Sequence, residues 1–422
     1  MTPSVLHLST FDVRGGAARA AYALHRAMVD SGIDSTMRVG LKSVDDQTVI
    51  GPMVSNARRT VDGVKFLTAN VLEHQLWKLQ RSSIKTWRSP GLFGSLSARA
   101  INASAADVVN IHWATDGFLS IKEIGRITKP VVWSLYDMWP FSGTEHYGND
   151  APDARWRTGY TKANTPTEDR GMDLDRISWE RKMRLWSAPR QIVAASSAFA
   201  QAAHDSALMG TWPIHTIPHV IDCDAFAPMS MDEARLELGL PLLPPLILFI
   251  ASGGIADQRK GWDLLEQALP RIKAAVPDVE VVIVGPSRPD YQAPEGVPIH
   301  WAGSVHGDRA LRLHYSAATV TAVPSREDNM PLTAMEAQAC GRPVVAFRIG
   351  GLPDIIEHEG TGYLAVPFDT EQLVAGFSSI LTDPALSAAY GQAARDRAVS
   401  SWSPTAVVTP YLEVYAEAIA KQ

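Results

Sequence analysis

Residues 323–353 read VPSREDNMPLTAMEAQACGRPVVAFRIGGLP, and the order of residue types in that stretch spells strand, turn, helix, strand. An apolar run ends at Val323, a polar turn follows, and Pro331 suits the first helical position, where a missing N–H leaves no bond unmade. The helix is predicted to run to about Cys340, with Gly341 ending it and residues 344–347 forming the next strand. Asn329, Met330, Pro331, Leu332 and Thr333 then lie at the carboxyl edge of a sheet, with free backbone N–H groups on all but the proline. A helix N-terminus there suits a phosphate, and open α/β sheets bind their ligands at that edge. Glu336, one turn further on, would repel a phosphate, so its carboxylate is read as an acceptor for a ribose diol.

Outward from this unit, short β-branched runs alternate with helical patterns almost throughout, the habit of parallel α/β sheets. Strands are predicted at 5–9, 35–39, 108–111, 131–135 and 191–195, and again at 246–250, 279–284, 299–302, 320–323 and 344–347. A chain of 422 residues fits two domains of about 200 residues. Turn residues in PHVIDCDAFAP, 218–228, put the junction there. The net charge of −6 and pI near 6.1 give no global attraction to nucleic acid or an anionic membrane, so any basic surface must be local. Cys223 and Cys340 form no ligand spacing, and neither Asp173–Asp175 nor Asp222–Asp224 ends a strand, so no metal site is expected. MTPSVLHLST at the N-terminus reads as a first strand rather than a signal peptide.

Residues 323–353 resemble the retaining GT-B glycosyltransferases of family 4, whose signature is two carboxylates eight positions apart before a helix ending A-C-G-x-P-V-V-A. Here Asp328 and Glu336 hold that spacing, with Asp in place of the usual first Glu and Glu327 beside it. The resemblance implies an α/β fold of two Rossmann-like domains facing across a cleft. Residues 1–217 would be the acceptor domain, 218–401 the donor-nucleotide domain, with helix 402–422 crossing back. It implies that Glu336 binds the nucleotide ribose and that Asp328 or Glu327 faces the donor sugar. In IADQRKGWDLLEQAL, 255–269, Lys260 matches the family's pyrophosphate lysine; Gly254 stands where an arginine is usual, and Arg259 is the substitute.

FDVRGGA, 11–17, places Gly15 and Gly16 where the family has a Gly-rich loop, with tight helix packing as the other reading. KPVVWSLYDMWPFSG, 129–143, is similar to the polysaccharide-assembly branch, but Tyr136 replaces the His often found at the reaction centre. Tyr136 is a poor base at neutral pH; Asp137, His146 and His112 are further candidates. The implied activity is transfer of a hexose-type sugar from a nucleotide diphosphate sugar, without cofactor, to a lipid-linked or growing surface glycan. A GT-B epimerase or hydrolase and a non-catalytic partner subunit are the alternatives. Two regions break the α/β alternation. Residues 144–175 read as a long polar loop. Residues 56–95 carry seven Lys/Arg (Arg58, Arg59, Lys65, Lys78, Arg81, Lys85, Arg88) against Asp62 and Glu73, interleaved with Phe66, Trp77, Trp87 and Phe93. Such a segment either lies on an anionic membrane of a cytoplasmic enzyme or packs its aromatics inward.

Overall fold

A computed structural model describes residues 2–82, 86–287, 290–294 and 296–422, so Lys85 lies outside the described residues. The chain divides into two compact units, one of 1–217 with 408–422 and one of 218–407.

In the first unit seven parallel strands line up as Val49–Ile50, Ser35–Leu41, Val5–Phe11, Val108–Ile111, Val131–Leu135, Gln191–Ala194 and Ile214–Thr216. In the second, six run Ile299–Gly303, Glu280–Val284, Leu246–Ile250, Val320–Val323, Val344–Phe347 and Gly362–Ala365. All ten strands read from the sequence are present. Those missed are short or at an edge, such as Val49–Ile50 and Ile214–Thr216, where too few residues are buried to leave a pattern. Both sheets are doubly wound: each grows outward from its first strand in one direction, then returns to that strand's other side.

Leu246–Ile250, Val320–Val323 and Val344–Phe347 are buried along nearly their whole length because helices cover both faces. Phe249, Trp262, Phe347 and Phe377 pack the second unit's core. In the first, Trp133, Trp139 and Trp186 meet at ring separations of 5.0–6.3 Å.

The helix Pro404–Ala420 closes the first unit's sheet through polar contacts as well as apolar ones. Asn110 and Ser134 are buried strand residues, Ser134 Oγ donating to Asn110 Oδ1 at 3.0 Å, and both also bond to the helix. The Asn110 amide donates to the Tyr415 hydroxyl at 2.7 Å, and Ser134 shares a hydrogen bond of 3.1 Å with Tyr411. Tyr415→Phe is therefore expected to lower stability by about 1–3 kcal/mol, read as a reduced urea midpoint. An unchanged midpoint would mean that this bond contributes nothing to closing the sheet.

Candidate functional site

In the second unit the switch point lies between Leu246–Ile250 and Val320–Val323, and the loops 251–261 and 324–331 leave the carboxyl ends of those strands. Gly261 holds φ at +70°, and a Cβ there would sit 1.9 Å from the Pro324 carbonyl oxygen. Gly350, at φ +50°, would put a Cβ 1.9 Å from the Asp328 carbonyl oxygen. Only glycine permits both approaches. The Lys-Gly pair and the Gly-Gly pair of the sequence thus lock the loop carrying Asp328 from two sides. The Arg326 amide donates to the Arg259 carbonyl at 2.8 Å, which completes the clamp.

Within it Lys260 Nζ lies 2.6 Å from Asp328 Oδ2, which also accepts from Ser325 Oγ at 3.0 Å. The Arg259 guanidinium stands 3.6 Å from Asp328 Oδ1 and donates to the Glu327 carbonyl at 3.1 Å. Lys260 and Arg259 thus both hold the Asp328 carboxylate. Gly254 takes a left-handed turn (φ +61°), and Arg259 and Lys260 are the two cations of this loop. Burial would raise the Asp328 pKa, but the charges of Lys260 and Arg259 and the bonds from Lys260 and Ser325 hold it below its ordinary value.

Pro331 precedes the helix Leu332–Ala339 as its N-cap rather than standing first within it. Ala334 makes the first inward bond, to Pro331 O at 3.1 Å. The amides of Leu332 and Thr333 thus stand ahead of the ladder, the position that favours an anion. Asn329 and the buried Met330 lead into it. Gly341, at φ +69°, follows the helix as predicted. Glu336 is buried and its Oε2 accepts from the Tyr315 hydroxyl at 2.8 Å. Tyr315, from the helix Asp308–Ala317, was not singled out in the sequence, because a tyrosine at a core position of an amphipathic helix carries no signal of its own.

In the first unit, Gly15 and Gly16 join Val5–Phe11 to the helix Gly16–Asp30, and a Cβ on either would meet nothing within 4 Å. Packing therefore does not demand the pair, against the tight-packing reading. Tyr136 follows Val131–Leu135 at that strand's carboxyl end. Its hydroxyl lies 3.0 Å from His112 Nδ1, and His112 Nε2 lies 2.8 Å from His7 Nδ1. Burial, then the neighbouring Tyr411 and Tyr415, push Tyr136 well above the ordinary phenol value, so it is no base near neutrality. Asp137 is a hub. Its Oδ2 accepts from Trp113 Nε1 at 2.6 Å and lies 2.5 Å from His146 Nδ1, while Oδ1 accepts from the Trp139 amide at 3.0 Å. His146 Nε2 is in turn 2.8 Å from Ser89 Oγ.

The residues 144–175 are not a free loop. Arg88 pairs with Asp175 at 2.5 Å, Tyr160 hydrogen-bonds Glu145, and Arg170–Gly171 pairs with Gln80–Arg81. The two D-x-D triplets are structural as well: Asp173 caps the helix Leu174–Leu185, and Asp222 accepts from the amides of Asp224 and Ala225. Among the described residues no three His, Cys, Asp or Glu side chains are grouped to hold a metal ion.

Two outcomes follow from this geometry. A carboxylate with a lowered folded pKa adds stability that is complete above its unfolded pKa and is lost as pH falls through the folded one. The stability difference between wild type and Asp328→Asn should therefore be constant above about pH 5 and shrink below the ordinary 3.8 of the free acid. Urea titrations across that range measure it. Gly16→Ala should leave the melting temperature unchanged or slightly raised while reducing turnover. Full turnover would show that no substrate approaches this backbone.

A family profile described as Glycosyl transferases group 1 matches residues 244–383, which contain both clamped loops. The D-inositol 3-phosphate glycosyltransferase of Segniliparus rotundus is 32% identical over 204 residues, 46% of this chain and 45% of that protein. The chain thus spans under half the length of this relative. That of Saccharomonospora viridis is 31% identical over 330 residues, 74% of this chain and 70% of its own. Among solved structures, sucrose-phosphate synthase from Thermosynechococcus elongatus matches 99% of this chain and 100% of its own with a TM-score of 0.67 at 18% identity. Anabaena HepE, in complex with UDP and glucose, matches 98% and 99% with a TM-score of 0.63 at 15% identity. Two doubly wound parallel-sheet units are the make-up of the GT-B glycosyltransferases, and with relatives at this identity and coverage the chain belongs to the group 1 glycosyl transferase family.

Proposed function

We propose that this protein transfers a hexose-type sugar from a nucleotide diphosphate sugar to a hydroxyl acceptor, with retention at the anomeric carbon. The observation that carries the reading is the clamp in which Lys260 and Arg259 converge on Asp328 beside the amides of Leu332 and Thr333. A diphosphate arriving at that helix N-terminus offers the two cations a second anionic partner. Lys260 then exchanges Asp328 for phosphate oxygens, and the released carboxylate accepts from a hydroxyl of the donor sugar. Glu336, braced by Tyr315, meets the ribose. The UDP and glucose in HepE support a donor of this class.

In the transfer, the bond from the anomeric carbon to the diphosphate oxygen breaks and a bond to the acceptor oxygen forms on the same face. The acceptor proton passes to the leaving phosphate, so no protein base is required, in keeping with a Tyr136 that does not ionise. Lys260, Arg259 and the helix amides meet the leaving charge, and the reaction needs no metal. The acceptor in this reading is a lipid-linked or growing surface glycan, which puts the enzyme at the inner face of the cytoplasmic membrane. The names of the curated relatives favour a second acceptor, an inositol phosphate.

Glu336→Ala should weaken nucleotide binding by about 1–3 kcal/mol, measured by calorimetry with a panel of nucleotide diphosphate sugars. Lys260→Ala should lower kcat at least as much as affinity, since its charge acts most on the leaving group. Nucleoside diphosphate should appear only when an acceptor is added, glycolipid and inositol phosphate being tried separately. Release without acceptor would favour a hydrolase, and full turnover by Lys260→Ala would overturn the assignment of the clamp.

A further inference from the structure

The helix Val61–Trp77 buries a carboxylate and leaves several apolar side chains in solvent. Its inward stripe is Gly63, Phe66, Ala69 and Glu73, and the buried Glu73 carboxylate accepts from the amides of Gly91, Leu92 and Phe93 at 2.7, 2.7 and 2.6 Å. Its outward stripe, at the same helical spacing, carries Val61, 72% exposed, with Val64, Val71 and Leu72, 55% and 41% exposed for the last two. A surface helix ordinarily does the reverse, with carboxylates out and valines in. Lys65 lies on the same outward stripe, Lys78 extends it past the last turn, and Arg58 and Arg59 are exposed on the adjoining 3-10 helix Val54–Arg59. Beyond the helix, the exposed Trp87 packs edge-on against Trp77 at 5.3 Å.

We infer that this face docks on the interface of an anionic lipid bilayer. Apolar side chains among cations on a chain of net charge −6 match a surface that is negative outside and apolar beneath. Among the described residues of 54–82 the exposed cations are Arg58, Arg59, Lys65, Lys78 and Arg81 and the one exposed carboxylate is Asp62. Glu168 and Arg170 lie on the strand approach beside Arg81. A second copy of this chain does not fit, because a two-fold interface would set those cations against themselves. Two residues read as part of the basic segment take no part. Arg88 is buried in its ion pair with Asp175, and Phe66 lies in the core. Among the described residues no helix is long and apolar enough to cross a membrane, so the contact is with one leaflet. It places a lipid-linked acceptor beside the enzyme, yet it needs neither donor nor acceptor to be observed.

Flotation of the full chain with vesicles of phosphatidylglycerol and phosphatidylcholine, against phosphatidylcholine alone, tests it. Wild type should bind the anionic vesicles at low salt and the neutral ones far less. Replacing Arg58, Arg59, Lys65 and Lys78 with Gln should weaken binding by about five-fold for each cation removed. Val71→Asp with Leu72→Asp should abolish it, while thermal melts and nucleotide affinity stay at wild-type values. Because these residues are exposed, both variants are expected to fold, and melts verify it. Absence of wild-type binding to anionic vesicles at low salt overturns the inference, as does equal binding by both variants. So does self-association that depends on Val71 and Leu72 without vesicle binding. Loss of transfer activity with vesicle binding intact would count against the reaction alone.

Discussion

Where the loops after Ile250 and Val323 leave their sheet, the backbone at Gly261 passes so close to Pro324 that no side chain fits between them. Gly350 makes the same approach to Asp328 from the other side. These two contacts place Asp328 between Lys260 and Arg259, and the placement explains why its carboxyl stays ionised although it is largely buried. An unpaired acid in that position would be driven to protonate. The charge balance of the crevice rests on backbone geometry that only glycine adopts.

The first unit solves a different problem with buried polar groups. Lys182 is fully enclosed, lies 4.0 Å from the centre of the Trp139 ring and donates to the carbonyls of Trp139, Ser142 and Gly143. Burial lowers its pKa to about 7. Nearby, burial and the charge of Asp175 raise Glu145, whereas Arg88 and the hydroxyl of Thr144 help to hold Asp175 low. Together these groups tie the two ends of the 144–175 region to each other and to the turn 139–143. Each must keep its partner, since a lone charge at such depth costs several kcal/mol. Asp137, with His146, Trp113 and Trp139 around it, fastens the carboxyl end of Val131–Leu135 in the same way.

The central strands of both sheets were legible because a buried parallel strand is a nearly continuous apolar run whatever surrounds it, as in LILFI. The turn before Leu332, the helix stop at Gly341 and the pairing of carboxylates eight apart were likewise local facts, set by residues near one another in the chain. So was the excess of cations in 56–95.

What the order of residues did not disclose were the partnerships across the chain. Nothing near Arg88 in sequence says that Asp175 waits for it in the core, and nothing near Glu73 announces the three amides that draw it inward. Nor does the sequence show that Tyr136, His112 and His7 form one hydrogen-bonded chain. Secondary structure follows from propensity and periodicity over a few turns, so the sequence by itself determined the two α/β sheets and the glycine-bounded loops. Which charges are buried, paired or left facing out depends on groups that tertiary folding brings together, because an electrostatic energy is set by distance and burial rather than by position in the chain.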